Sequence, residues 1–114
     1  VDYDLVGNAA RFGHVNGASG STKPVVFVTG GTERLRITGA GDLLPATNNS
    51  YDLGSTAIRW RNIFTNDLNL SNKGSTNSVD NTWGDYTIEE GENDLFLINN
   101  RSGKKFKFNL TEVS

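Results

Sequence analysis

Apolar and polar side chains alternate with a period of two along much of this chain. Pro24-Val25-Val26-Phe27-Val28-Thr29 is dominated by β-branched and aromatic residues, which suit a pleated, half-buried surface. Gly30-Gly31 turns the chain, and in Thr32 to Thr38 the residues Leu35 and Ile37 fall on one face, with Arg34, Arg36 and Thr38 on the other. The pattern predicts a hairpin, ended by Gly39-Ala40-Gly41-Asp42. Leu43 to Asn49 holds Pro45 and two asparagines, so it reads only as a short extended piece. Polar residues from Asp52 to Thr56 predict a brief helical turn capped by Ser55. Trp60, Ile63 and Phe64 follow as apolar anchors, and Leu68 and Leu70 alternate with Asn69 and Ser71 as one more strand.

In the last third, Leu95-Phe96-Leu97-Ile98 is a short apolar run, and Asn99 to Gly103 reads as a turn. Phe106, Phe108 and Leu110 then alternate with Lys105, Lys107 and Asn109, predicting a hairpin with one buried face. Glu89, Glu90, Glu92 and Asp94 read as an acidic turn ahead of it. Antiparallel pairing would set that turn against Lys104, Lys105 and Lys107, at about 0.2–1 kcal/mol per cross-strand pair. No segment holds a helical period beyond one or two turns, so the predicted class is all-β. Four segments are expected: an irregular Gly/Ser/Asn-rich connection over 1–23, a β-rich module over 24–71, a polar linker over 72–82 and a C-terminal hairpin module over 83–114.

Composition changes this picture in one respect. Hydrophobic residues make up 35% of the 114, against about 45–50% in ordinary domains on a scale that also counts glycine. As a compact monomer the chain would expose about 6,100 Å2 and bury about two thirds of its extended surface. Its own apolar residues are too few for that, and partner chains covering one another would remove the difficulty. Eleven basic and thirteen acidic residues give a net charge of −2, so no global field steers the chain to nucleic acid or anionic lipid. No run reaches the eighteen or so apolar residues of a membrane span. There is no cysteine, and no methionine even at position 1, so a fragment or processed product is expected.

Catalytic constellations are not found. His14 is the one histidine, in a Gly-rich stretch without a serine motif, whereas nucleophilic catalysis needs a nucleophile, a base and an orienting group. A zinc site needs several His or Cys ligands. The acidic residues at 89–94 raise polysaccharide hydrolysis, which needs two carboxyl groups facing across a sugar cleft, but a solvated turn that pairs with the lysines explains them better, since so short a chain has little room for a deep cleft. Asp80-Asn81-Thr82-Trp83-Gly84-Asp85 offers oxygen ligands near a glycine without the spacing of an EF-hand loop, and an ordinary Asn/Asp/Gly turn accounts for it. Arg59-Trp60-Arg61 suits a tryptophan anchor flanked by surface arginines better than a base-stacking site in a net negative chain. No cofactor is expected. Trp83, Asp85 and Tyr86 form a candidate glycan contact, since aromatic faces stack on sugars and a carboxylate accepts hydroxyl hydrogen bonds. The sequence favours the plainer reading, in which Trp83 and Tyr86 begin the C-terminal core.

Two stretches carry a family resemblance. Gly31-Thr32-Glu33-Arg34-Leu35-Arg36-Ile37-Thr38 resembles a strand-and-turn segment of phage tail fibres and of shafts in the chaperone-of-endosialidase group. Tyr51 to Phe64 is similar to the Asp-Leu-Gly-Ser…Arg-Trp…Asn-Ile-Tyr element of those proteins, with Phe64 in place of the usual tyrosine. Asp85 to Val113 resembles the ending of structural proteins from marine and cyanobacterial phages. The resemblance implies a virion structural protein of tail or fibre, an intertwined homotrimer about a threefold axis, partners among tail or baseplate proteins, and attachment to host-surface polysaccharide. It carries no catalytic residue onto this chain, and no counterpart of the self-cleaving chaperone domain lies within it. In such an assembly Leu35, Ile37, Trp60, Ile63, Phe64, Phe106 and Phe108 are the expected interface or core residues. A monomeric lectin-like domain, a head fibre or capsid decoration protein, and a depolymerase fragment are the alternatives.

Overall fold

The structure is a computed structural model that describes residues 22–114 and the backbone of residues 2–4 and 9–11. The protein is all-β, and among the described residues there are nine strands and no helix. Most of the segment 1–23 that reads as an irregular connection, His14 included, lies outside the described residues. Within it, β1 (Asp2–Asp4) and β2 (Ala9–Arg11) form an antiparallel pair. The chain divides into two compact units, Val1–Arg59 and Trp60–Ser114.

The first unit carries an antiparallel sheet of β3 (Val25–Thr29), β4 (Thr32–Ile37) and β5 (Leu43–Pro45), in that order. Gly30 and Gly31 join β3 to β4 with φ of 58° and 76°. Positive φ at both central positions is what a two-residue turn needs to follow the strand twist, and glycine adopts it without steric cost. The register places Val25, Ile37 and Leu43 in one row and Phe27, Leu35 and Pro45 in the next, so one face is apolar up to the Thr29–Thr32 pair at the turn. Pro45 sits on the edge strand, where its missing N–H costs no ladder bond.

A bulge lies between Phe27 and Val28, with Arg34 as the extra residue on β4. Positions three apart in a regular strand point to opposite faces; the bulge shifts the phase by one and brings Glu33 to the face of Arg36. Arg36 then donates to both Glu33 carboxylate oxygens, Nε at 2.8 Å and Nη2 at 2.7 Å. These hydrogen bonds hold the Glu33 carboxyl below its ordinary range. The alternation read from the sequence is therefore broken at Arg34. Its guanidinium donates to Thr29 Oγ1 and to the Tyr51 hydroxyl and lies over the Tyr51 ring.

The second unit carries a four-stranded antiparallel sheet of β6 (Leu68–Ser71), β7 (Asp85–Glu90), β8 (Leu95–Asn99) and β9 (Lys105–Lys107), in chain order. Leu68, Ile88, Leu97 and Phe106 align in one row across all four strands. Leu70, Tyr86 and Leu95 lie on the same face. The opposite face carries Asn69, Thr87, Ile98 and Lys105 in one row and Glu89, Phe96 and Lys107 in another. Thr87 donates to Asn69 Oδ1 at 2.7 Å and accepts from Asn100 Nδ2 at 2.9 Å, and Asn100 also donates to Asp85.

Several sequence expectations need correction. The acidic residues Glu89 and Glu90 end strand β7 rather than forming a turn; only Glu92 and Asp94 belong to the β7–β8 connection, closed by the bond from Gly91 N to Asp94 O. The expected pairing of these acids with the lysines fails because β8 lies between, with Phe96 opposite both Glu89 and Lys107. The second hairpin's outer strand stops at Lys107, although Phe108 N–H still donates to Leu95 O. Segment 72–82 is a hydrogen-bonded loop joining β6 to β7 inside the second unit. At 52–56 no helical turn forms. Ser55 Oγ accepts from Ile58 N–H as a cap would, yet Ser55 N–H donates back to Ile58 O and closes a small loop instead.

No hydrophobic side chain among the described residues is buried; the one buried side chain is Thr87, at 9% exposure. What centres the second sheet is thus a hydrogen-bonded threonine and not an apolar cluster. Thr87→Val keeps the shape and removes the hydroxyl, so Asn69 Oδ1 loses its donor and the Asn100 side chain keeps only its bond to Asp85. It should lower stability by about 0.5–1.5 kcal/mol in urea unfolding, with Thr87→Ser close to the parent.

Candidate functional site

The loop between β6 and β7 is built from short polar side chains that fold back on their own backbone, as Asn and Asp do in turns. Asn77 Oδ1 accepts from the N–H groups of Val79 and Asp80, and its amide nitrogen donates to Asp80 Oδ1 and to Thr82 O. Asp80 Oδ1 also accepts from the Thr82 hydroxyl at 2.7 Å and the Thr82 N–H at 3.2 Å. Asn72 Oδ1 accepts from Gly84 N–H, tying the base of the loop. Gly74 and Asn81 take positive φ, 92° and 60°.

This loop and the start of β7 border an open hollow of about 480 Å3. Trp83 and Tyr86 form its aromatic walls, and Asn72, Asn77, Asp80 and Thr82 its polar ones. Trp83 is half-buried, with the Arg101 guanidinium 3.8 Å from its ring centroid and Lys73 Nζ at 5.9 Å. Arg101 Nη1 also donates to Trp83 O at 2.9 Å, so the indole is clamped by cation–π contact and hydrogen bond together. The Tyr86 ring lies over Gly84, 2.9 Å from where a Cβ would stand. Only glycine leaves that ring its place against the strand.

Of the three residues that the sequence offered as a glycan contact, the structure brings Trp83 and Tyr86 together and places Asp85 elsewhere. Asp85 lies on the opposite face of β7 from Tyr86, where its carboxylate accepts from Asn100 Nδ2 at 3.0 Å. The carboxylate on the hollow is that of Asp80. In the sequence Asp80 stands out only as one oxygen ligand of the 80–85 segment; the signal for its surroundings is the Asn77-x-x-Asp80-x-Thr82 spacing of side chains that cap their own turn. No group of three or more His, Cys, Asp or Glu side chains suited to a metal occurs among the described residues. Glu89 and Glu90, adjacent on one strand, point to opposite faces and do not confront each other across a cleft. No helix among the described residues is long and apolar enough to cross a membrane.

The residues expected at an interface or core are not buried within the chain. Leu35 and Phe108 are half-buried, while Ile37, Trp60, Ile63, Phe64 and Phe106 are exposed, Phe64 to 92%. Every residue from 51 to 71 is exposed, including the whole of the Tyr51–Phe64 stretch. On the first sheet, Leu35, Leu43, Pro45, Tyr51 and Leu53 line a second, mostly apolar hollow of about 560 Å3, with Arg34 and Asp52 at its rim.

The hydrogen bonds from the Thr82 hydroxyl, then from the Asn77 amide and the Thr82 N–H, hold the Asp80 carboxyl below its ordinary value of 3.8. A depressed folded pKa means that Asp80 supports the loop above the unfolded value and ceases to do so as pH falls through the lower, folded one. In an NMR titration the Asn77 side-chain amide and the Thr82 N–H should shift together with a midpoint below 3.8, and Asp80→Asn should abolish that step. Gly84→Ala should push the Tyr86 ring off its seat and alter the ring's chemical shifts.

No protein-family model, no curated protein and no solved structure matches the chain.

Proposed function

We propose that the chain is a non-enzymatic structural module of a phage virion, a tail fibre or tail tip, that works as a homotrimer. It would be extracellular once assembled, held by tail or baseplate proteins and turned towards host-surface polysaccharide. The observation that carries this reading is the absence of any buried hydrophobic side chain among the described residues. Two sheets each leave an apolar face open, and Trp60, Ile63 and Phe64 project from a stretch without one buried residue. Covering 1,000 Å2 of such surface contributes about 25 kcal/mol before entropic costs, against a net stability of about 5–15 kcal/mol for a domain. Copies of the chain are the simplest source of that cover, and closed symmetry is the usual form of such assemblies. The resemblance at 31–38 and 51–64 supports the virion assignment. A head fibre or capsid decoration protein would use the same device.

The Trp83–Tyr86 hollow favours a second reading, carbohydrate binding, in which Asp80, Asn72 and Thr82 accept or donate to hydroxyl groups. Trp83→Ala separates the two. Loss of glycan binding with the oligomer intact supports a lectin role, whereas loss of assembly makes Trp83 part of the structural core.

Sedimentation equilibrium at micromolar concentration should give a particle of three 12.4 kDa chains. A folded, stable monomer would contradict the proposal.

A further inference from the structure

Resting on the homotrimer proposed above, we propose that the chains meet through one particular surface, the face of the four-stranded sheet bearing Leu68, Ile88, Leu97 and Phe106, each copy packing this face against the same face of its neighbours. The row crosses all four strands, and Leu70, Tyr86 and Leu95 widen it to either side. Leu68, Leu70 and Phe106 are each about half exposed in the single chain, 46–49%, so the face has no cover of its own.

Charge sorting between the two faces favours copies of this chain as the occupant. A threefold axis brings every residue near it beside its own copies, so a charge there would meet like charges at short range and lose its water. Among the strand residues of the apolar face the one charge is Glu90, at the end of β7 beside the β7–β8 turn. The opposite face sets Asp85, Glu89, Lys105 and Lys107 around Phe96 and Ile98, and those four charges are better left in water than brought to an axis.

Adjacent residues on β8 give the test. Leu97 and Ile98 are both half-buried in the single chain but point to opposite faces, and the sequence holds no cysteine. Leu97→Cys and Ile98→Cys are made separately in the full chain, confirmed by sedimentation, and their maleimide reaction rates measured. The proposal expects Cys at 97 to react at least about tenfold more slowly than at 98 in the oligomer, and both to react alike in denaturant. Leu68→Cys should be protected like 97. Equal rates, or protection at 98, in a protein that still sediments as a trimer would overturn the face assignment and leave the trimer standing. A parent chain that sediments as a folded monomer would overturn both.

Discussion

A sheet with one apolar face needs a second layer laid against it, because that face cannot be left in water without losing the main driving force of folding. This chain builds two such sheets and, among its described residues, buries no hydrophobic side chain on either. The rest of the architecture follows from that constraint. Each sheet is held in shape by backbone ladders and by turn chemistry, while the apolar rows stay available. The stretch from Tyr51 to Phe64, without one buried residue and rich in large apolar side chains, belongs to the same logic.

Polar groups do the local ordering that a core would do elsewhere. Thr87, Asn69, Asn100 and Asp85 link three elements of the second sheet on its wet face. Asn77 and Asp80 fix the loop that positions Trp83, and Arg101 clamps the indole from the far hairpin turn. In the first sheet the bulge at Arg34 makes possible both the Arg36–Glu33 pair and the contact of Arg34 with Tyr51. Unshielded hydrogen bonds of this kind contribute little individually. They specify register and loop shape, and leave cohesion to whatever covers the apolar faces.

The all-β class was legible because β-branched and aromatic residues fill the strands and Gly30-Gly31 marks its turn without ambiguity. Strand β7 was not. Glu89 and Glu90 have low strand propensity and sit among four acids, so composition suggested a turn; pairing of Tyr86, Thr87 and Ile88 with strands on both sides overrides that preference. The loop at 72–82 looked like a linker because its residues are polar, yet Asn, Asp and Thr at those spacings satisfy one another. Asp85 and Tyr86 part company because neighbours on a strand face apart, and nothing in the local composition marks β7 as a strand. The bulge at Arg34, invisible in the alternation, changed which residues share a face.

If cohesion resides between chains, unfolding and dissociation are one event, and stability must depend on concentration by mass action. Thermal unfolding followed by circular dichroism over a hundredfold range of protein concentration tests this directly. The account predicts a single cooperative transition whose midpoint rises steadily with concentration. A sharp transition at the same temperature throughout would show that one chain suffices for its own stability, and would contradict it.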